Sequence, residues 1–126
     1  MMESNMVGWF EIPVTDMDRA KKFYDILFEV DIQVVDFHGT MMGWFPWVEG
    51  KSGAAGSLVK NEAYRPSETE GVVIYFSCED VNIQLGRVES AGGKIVQPKK
   101  LIADDIGYMG VIVDTEGNRI ALHSRK

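Results

Sequence analysis

The stretch Trp9-Phe10-Glu11-Ile12-Pro13-Val14-Thr15-Asp16 runs into Met17-Asp18-Arg19-Ala20-Lys21-Lys22-Phe23-Tyr24-Asp25-Ile26-Leu27-Phe28, and its reading decides the fold. Trp9 to Val14 is a short apolar run that predicts a strand. Ala20, Phe23, Tyr24, Leu27 and Phe28 then recur at the spacing of one helix face. Thr15 or Asp16 can cap that helix, and Asp18 suits the positive end of its dipole. The same order returns 64 residues on, where Asp80 stands in the place of Asp16. Val72 to Ser77 is strand-like, Glu79-Asp80 supplies a cap, and Val81, Leu85 and Val88 make a helix face that Gly92-Gly93 ends. The halves share pattern and punctuation more than identity.

Three strand-like runs follow each helix: 31–37, 40–48 and 55–60 in the first half, and 94–97, 108–113 and 119–123 in the second. Asp114 to Asn118 is a tight turn with Gly117 free for a positive φ. The polar, Pro66-containing segment 61–71 reads as a linker. We therefore expect one domain over 1–126, with module 1 about 7–60 and module 2 about 72–125. The expected class is α+β: two βαβββ modules forming a partly closed mixed β-sheet barrel or cup with helices outside. Alternation puts Phe10, Ile12, Val14, Val72, Ile74, Phe76, Ile120 and Leu122 toward the helices. It leaves Trp9, Glu11, Pro13, Val73, Tyr75, Ser77, Arg119, Ala121 and His123 facing inward.

Composition narrows the function. The 126 residues carry a net charge of −6, with 45% hydrophobic and 25% charged side chains, which excludes a disordered chain. Half the chain is a marginal size for a separate core. The only basic pair of note, Lys99-Lys100, is too small for a nucleic-acid footprint. No apolar run reaches the length of a membrane span. Met1-Met2-Glu3-Ser4-Asn5 lacks a signal-peptide pattern, and the single cysteine, Cys78, excludes an internal disulfide. A cytoplasmic location is expected.

These elements resemble the vicinal oxygen chelate superfamily, also called the glyoxalase/bleomycin-resistance/dioxygenase family. The resemblance is carried by Ile12-Pro13-Val14-Thr15-Asp16-Met17-Asp18-Arg19-Ala20 with Phe23-Tyr24, by Ala91-Gly92-Gly93, and by Asp114-Thr115-Glu116-Gly117-Asn118-Arg119-Ile120-Ala121-Leu122. The family usually has Pro where Thr115 stands and often Gly where Glu29 stands. The resemblance implies paired βαβββ modules, in many members a homodimer, and in many a divalent metal held by four side chains. Those four positions fall on Trp9, at or near Gly56, on Val73 and on Ala121. None of these side chains ligates a metal, so no cofactor is expected at the usual site.

Glu11, Tyr75 and His123 stand two residues from the metal positions on the same faces. They form a candidate acid/base group in which Glu11 would orient the His123 imidazole. The alternatives are a mutually satisfied buried polar cluster, or a displaced metal site on Glu11 and His123. Trp9, Trp44, Val73, Tyr108 and Ala121 are the candidate ligand-binding residues, with Trp9 the best wall. Trp44 and Trp47 differ by three, so a regular strand turns only one of them inward. His38 reads as an exposed turn residue, and Cys78 as a small structural residue. The leading expectation is a small-molecule binder without the usual metal site, as in bleomycin-resistance members with an acidic, aromatic-lined groove. The alternatives are a lyase or isomerase acting on a small carbonyl compound, and a non-catalytic assembly module.

Overall fold

The computed structural model describes residues 5–126; residues 1–4, part of the stretch read above for a signal pattern, lie outside that range. The elements are β1 (Trp9–Pro13), α1 (Met17–Phe28), β2 (Gln33–Phe37), β3 (Thr40–Trp44), β4 (Ala55–Lys60), β5 (Tyr75–Ser77), α2 (Val81–Val88), β6 (Lys94–Ala103), β7 (Gly107–Val113) and β8 (Arg119–Ser124). They form two four-stranded mixed sheets, in the orders β1-β4-β3-β2 and β5-β8-β7-β6. In each sheet the first strand runs parallel to the last, and the other pairings are antiparallel. The fold is α+β, and each half repeats βαβββ.

Both helices begin where the sequence places a cap. Asp16 accepts from Arg19 N at 3.1 Å and Asp80 from Asn82 N at 2.9 Å. The α1 face Met17, Ala20, Phe23, Tyr24 and Leu27 is buried, as is the α2 face Val81, Leu85 and Val88. These residues share one core with Ile12, Leu58, Ile112, Ile120 and Leu122. Phe10, Tyr24, Phe28, Phe45 and Phe76 extend that core from module to module, with Phe28 and Phe76 at 4.7 Å between ring centroids. Gly93 permits this approach: a Cβ there would lie 2.7 Å from a ring carbon of Phe23.

The helix C-termini are also tied together. Glu29 ends α1 in the left-handed region, at φ 52°, a conformation that favours glycine. Its carboxylate pairs with Arg87 at the end of α2, and the same guanidinium donates to Leu27 O at 3.1 Å.

Four expectations are corrected. The strand expected from Val72 begins only at Tyr75, and Val72 is 90% exposed rather than turned to the helix. Gly71 has a positive φ, and the chain after it reaches β8 through Ile74 O, which accepts from Ala121 N. The strand expected over 40–48 stops at Trp44, two residues before Pro46, leaving Trp47 outside it. β6 runs on to Ala103 through Pro98, which an edge strand with register shifts tolerates. Finally, the two sheets do not close into a cup within the chain. Among the described residues no strand of one sheet pairs with a strand of the other. The modules meet through α1, α2 and the aromatic core instead, so each sheet keeps one face free of helices.

Candidate functional site

Register fixes what lies on the helix-free faces, because directly paired residues share a face. On the first sheet Glu11, Ser57, Trp44 and Gln33 form one row across β1, β4, β3 and β2. Trp9 and Ala55 form the row beside it. Trp9 and Trp44 remain 46% and 39% exposed, large apolar surface left uncovered by the described residues. Glu11 is exposed and its carboxylate has no hydrogen-bond or ion-pair partner among the described residues. Between Glu11 and Trp44, Ser57 is fully buried and its Oγ has no partner among the described residues. Sequence reading missed Ser57; the parity of β1 against β4 was the signal that would have found it.

On the second sheet Tyr75, Ala121 and Val111 form one row, and Ser77, His123 and Met109 the next. Tyr75 is 55% exposed, while the small Ala121 lies covered between larger neighbours. Val73 precedes β5 and is half-exposed. Tyr108 pairs with Ser124, on the opposite face. It packs toward the core, with the Lys99 ammonium 4.6 Å from its ring centroid, so it lines neither helix-free face.

The expected contact between Glu11 and His123 is not made. His123 Nε2 lies 2.8 Å from Ile106 O. A carbonyl only accepts, so Nε2 carries the proton and a neutral ring keeps Nδ1 as its free base. Glu11 and His123 lie on different sheets, and no hydrogen bond joins them among the described residues. His38 lies in the exposed β2–β3 turn at φ 54°. Burial pushes the Cys78 thiol up to about 11, although its sulfur lies near the start of α2.

The residues between Asp114 and Asn118 have a different task. Asp114 is buried and accepts from the Tyr24 hydroxyl at 2.6 Å, from Asn118 N and Nδ2, and from Glu116 N. Burial raises its pKa against the pull of those bonds. Glu116 accepts from Thr15 N and Oγ1, Asp16 N and the Arg19 guanidinium. Burial would raise its pKa, but the Arg19 guanidinium and the Asp16 and Thr15 amides outweigh it and hold the carboxyl at about 2. Asn118 Nδ2 also donates to Pro13 O at 2.7 Å. The turn is a clasp that binds module 2 to the start of α1.

Comparison with known sequences decides the family. A sequence profile described as the Glyoxalase/Bleomycin resistance protein/Dioxygenase superfamily matches residues 6–122. The chain belongs to this superfamily. Similar solved structures agree in fold. A glyoxalase/bleomycin resistance protein from Albidiferax ferrireducens is 19% identical with a TM-score of 0.70, over 97% of this chain and 100% of that one. A trypanothione-dependent glyoxalase I from Leishmania major is 21% identical with a TM-score of 0.69, over 97% and 88%. A glyoxalase I mutant from Zea mays is 18% identical with a TM-score of 0.72 over 94% of this chain, which spans 46% of that enzyme. No curated protein matches.

The four positions at which the resemblance places a metal are Trp9, Gly56 or its neighbour, Val73 and Ala121. Gly56 faces the helix side, since a Cβ on it would lie 2.4 Å from the Phe10 ring. The helix-free positions of β4 are therefore Ala55 and Ser57. Trp9, Ala55 or Ser57, Val73 and Ala121 offer at most one hydroxyl, which is no donor set for a divalent ion. Among the described residues no three His, Cys, Asp or Glu side chains are grouped to hold a metal. Among the described residues no helix is long and apolar enough to cross a membrane.

Proposed function

We propose that this superfamily member binds a small, flat, largely apolar molecule against Trp9 and Trp44, without a metal. The observation that carries the reading is the row Glu11, Ser57, Trp44: exposed indole beside an unpaired carboxylate and a buried, unpartnered hydroxyl. Indole faces favour planar ligands and cations, and Glu11 adds a preference for a cationic or hydrogen-donating group. The net charge of −6 acts in the same sense. One helix-free face is half of an enclosure. A second copy would cover it with the face that carries Tyr75 and Ala121, giving a homodimer with the ligand between unlike modules. Lyase or isomerase chemistry on a small carbonyl compound through Glu11 and His123 needs both on one ligand; they lie on different sheets of one chain, so that reading requires His123 to come from the second copy.

Tryptophan fluorescence titrated with planar cationic and neutral compounds, beside sedimentation equilibrium, tests the reading. Saturable quenching that Trp44→Ala reduces by about tenfold in affinity is expected. Silence with every compound in a dimeric sample overturns it. Tightly bound stoichiometric metal in the purified protein overturns the metal-free part.

A further inference from the structure

Between β1, β8 and the linker lies a cleft of about 210 Å³. That is below the roughly 300–1,000 Å³ of pockets for drug-sized ligands, and it suits a molecule of amino-acid size. Its apolar wall includes Ile12, Ile120, Val72 and Ile74. Arg119 reaches across it toward the linker. The Arg119 amide donates to Ser67 O at 3.2 Å, but its guanidinium meets Thr69 O and Gly71 O only at 3.5 and 3.4 Å. Its Nε is buried and has no hydrogen-bond partner among the described residues. The two Nη contacts are long and exposed, so a carboxylate in the cleft would offer the guanidinium a closer, oppositely charged acceptor.

The same cleft is lined by Glu11, Glu70 and Arg65. Among the described residues no ion pair joins these three side chains or Arg119 to anything. Two unpaired charges of each sign therefore face one small space. A simple anion would meet Glu11 and Glu70, and a simple cation would meet Arg119 and Arg65. A molecule carrying both charges meets each with its opposite. We propose that this cleft binds a small zwitterion of the amino-acid class, its carboxylate on Arg119, its ammonium on Glu11 and a short apolar side chain against Val72 and Ile74. Glu11 stands at the rim that the cleft shares with the Trp44 face, yet the two ligands differ in chemistry, so either reading can fail alone.

The test is calorimetric titration of the full chain with L-leucine, acetate and propylamine, repeated on Arg119→Gln and Glu11→Gln. Saturable leucine binding is expected, about tenfold tighter than acetate or propylamine, with a loss of about tenfold or more in each variant. Glu11 holds no partner, so its variant folds normally and keeps the test decisive if Arg119→Gln loosens the linker. Absence of leucine binding overturns the proposal. So does acetate binding as tightly as leucine with Glu11→Gln unchanged.

Discussion

The clasp at Asp114–Asn118 and the helix-free face of β1, β4 and β3 are built on opposite terms. In the clasp, Asp114, Glu116 and Asn118 are each bonded several times over, across nearly the whole length of the chain. On the open face, among the described residues, Glu11 has no partner, Ser57 Oγ has none, and Trp9 and Trp44 stand partly exposed. One region has nothing left to offer a ligand. The other leaves polar and apolar groups unengaged. The clasp draws on residues that carry the family resemblance, Thr15, Asp16, Arg19, Tyr24 and Asp114 to Asn118, whereas Trp44 and Ser57 of the open face are not among them.

The largest effect should come from breaking the clasp at its centre. Asp114→Ala leaves the Tyr24 hydroxyl and Asn118 Nδ2 short of acceptors in the core and should cost about 3 kcal/mol, read by urea unfolding. A loss below about 1 kcal/mol would mean that the contrast is misdrawn.

Glu116 gives the next effect, with a pH signature. Its carboxyl is held at about 2 in the fold, against 4.5 ordinarily. The folded value is depressed, so its contribution is full above about pH 4.5 and disappears as pH falls toward 2. Discounted for the half-exposed Arg19, the contribution is about 2 kcal/mol. Glu116→Gln should flatten the fall in stability across that acid window.

His123→Ala removes one bond to Ile106 O and should cost about 1 kcal/mol. If a small carbonyl compound is turned over by the wild type and not by this variant, His123 belongs to a site and the open face is more than a binding wall. At the small end, Glu11→Gln should move stability by less than about 0.5 kcal/mol while weakening ligand binding. A large loss of stability there would show that the open face is structural after all.

Sequence periodicity made the modules, both caps, both helix faces and the parity of β1 legible, because each depends on residues close along the chain. What depends on contacts between modules was hidden. Tyr108 has strand spacing that fits either face, and only its pairing with Ser124 shows which. His123 was assigned to Glu11 by alternation, but a carbonyl from the β6–β7 turn reaches it first. The resemblance puts a metal position at or near Gly56, and one residue, from Gly56 to Ser57, is the whole difference between the helix side and the open face. Closure of the sheets was not legible at all, since alternation tells which side chains share a face and says nothing of what the face meets.

The pairing at Glu29 has a mechanical consequence. Helix α1 is fastened to the second module at its beginning by Glu116 and at its end by Arg87. A rod pinned at two points cannot swivel, and the angle between the open faces is thereby set. A glycine at position 29 would relax the backbone and remove the ion pair, leaving the bond from Arg87 to Leu27 O and the shared aromatic core to hold that end.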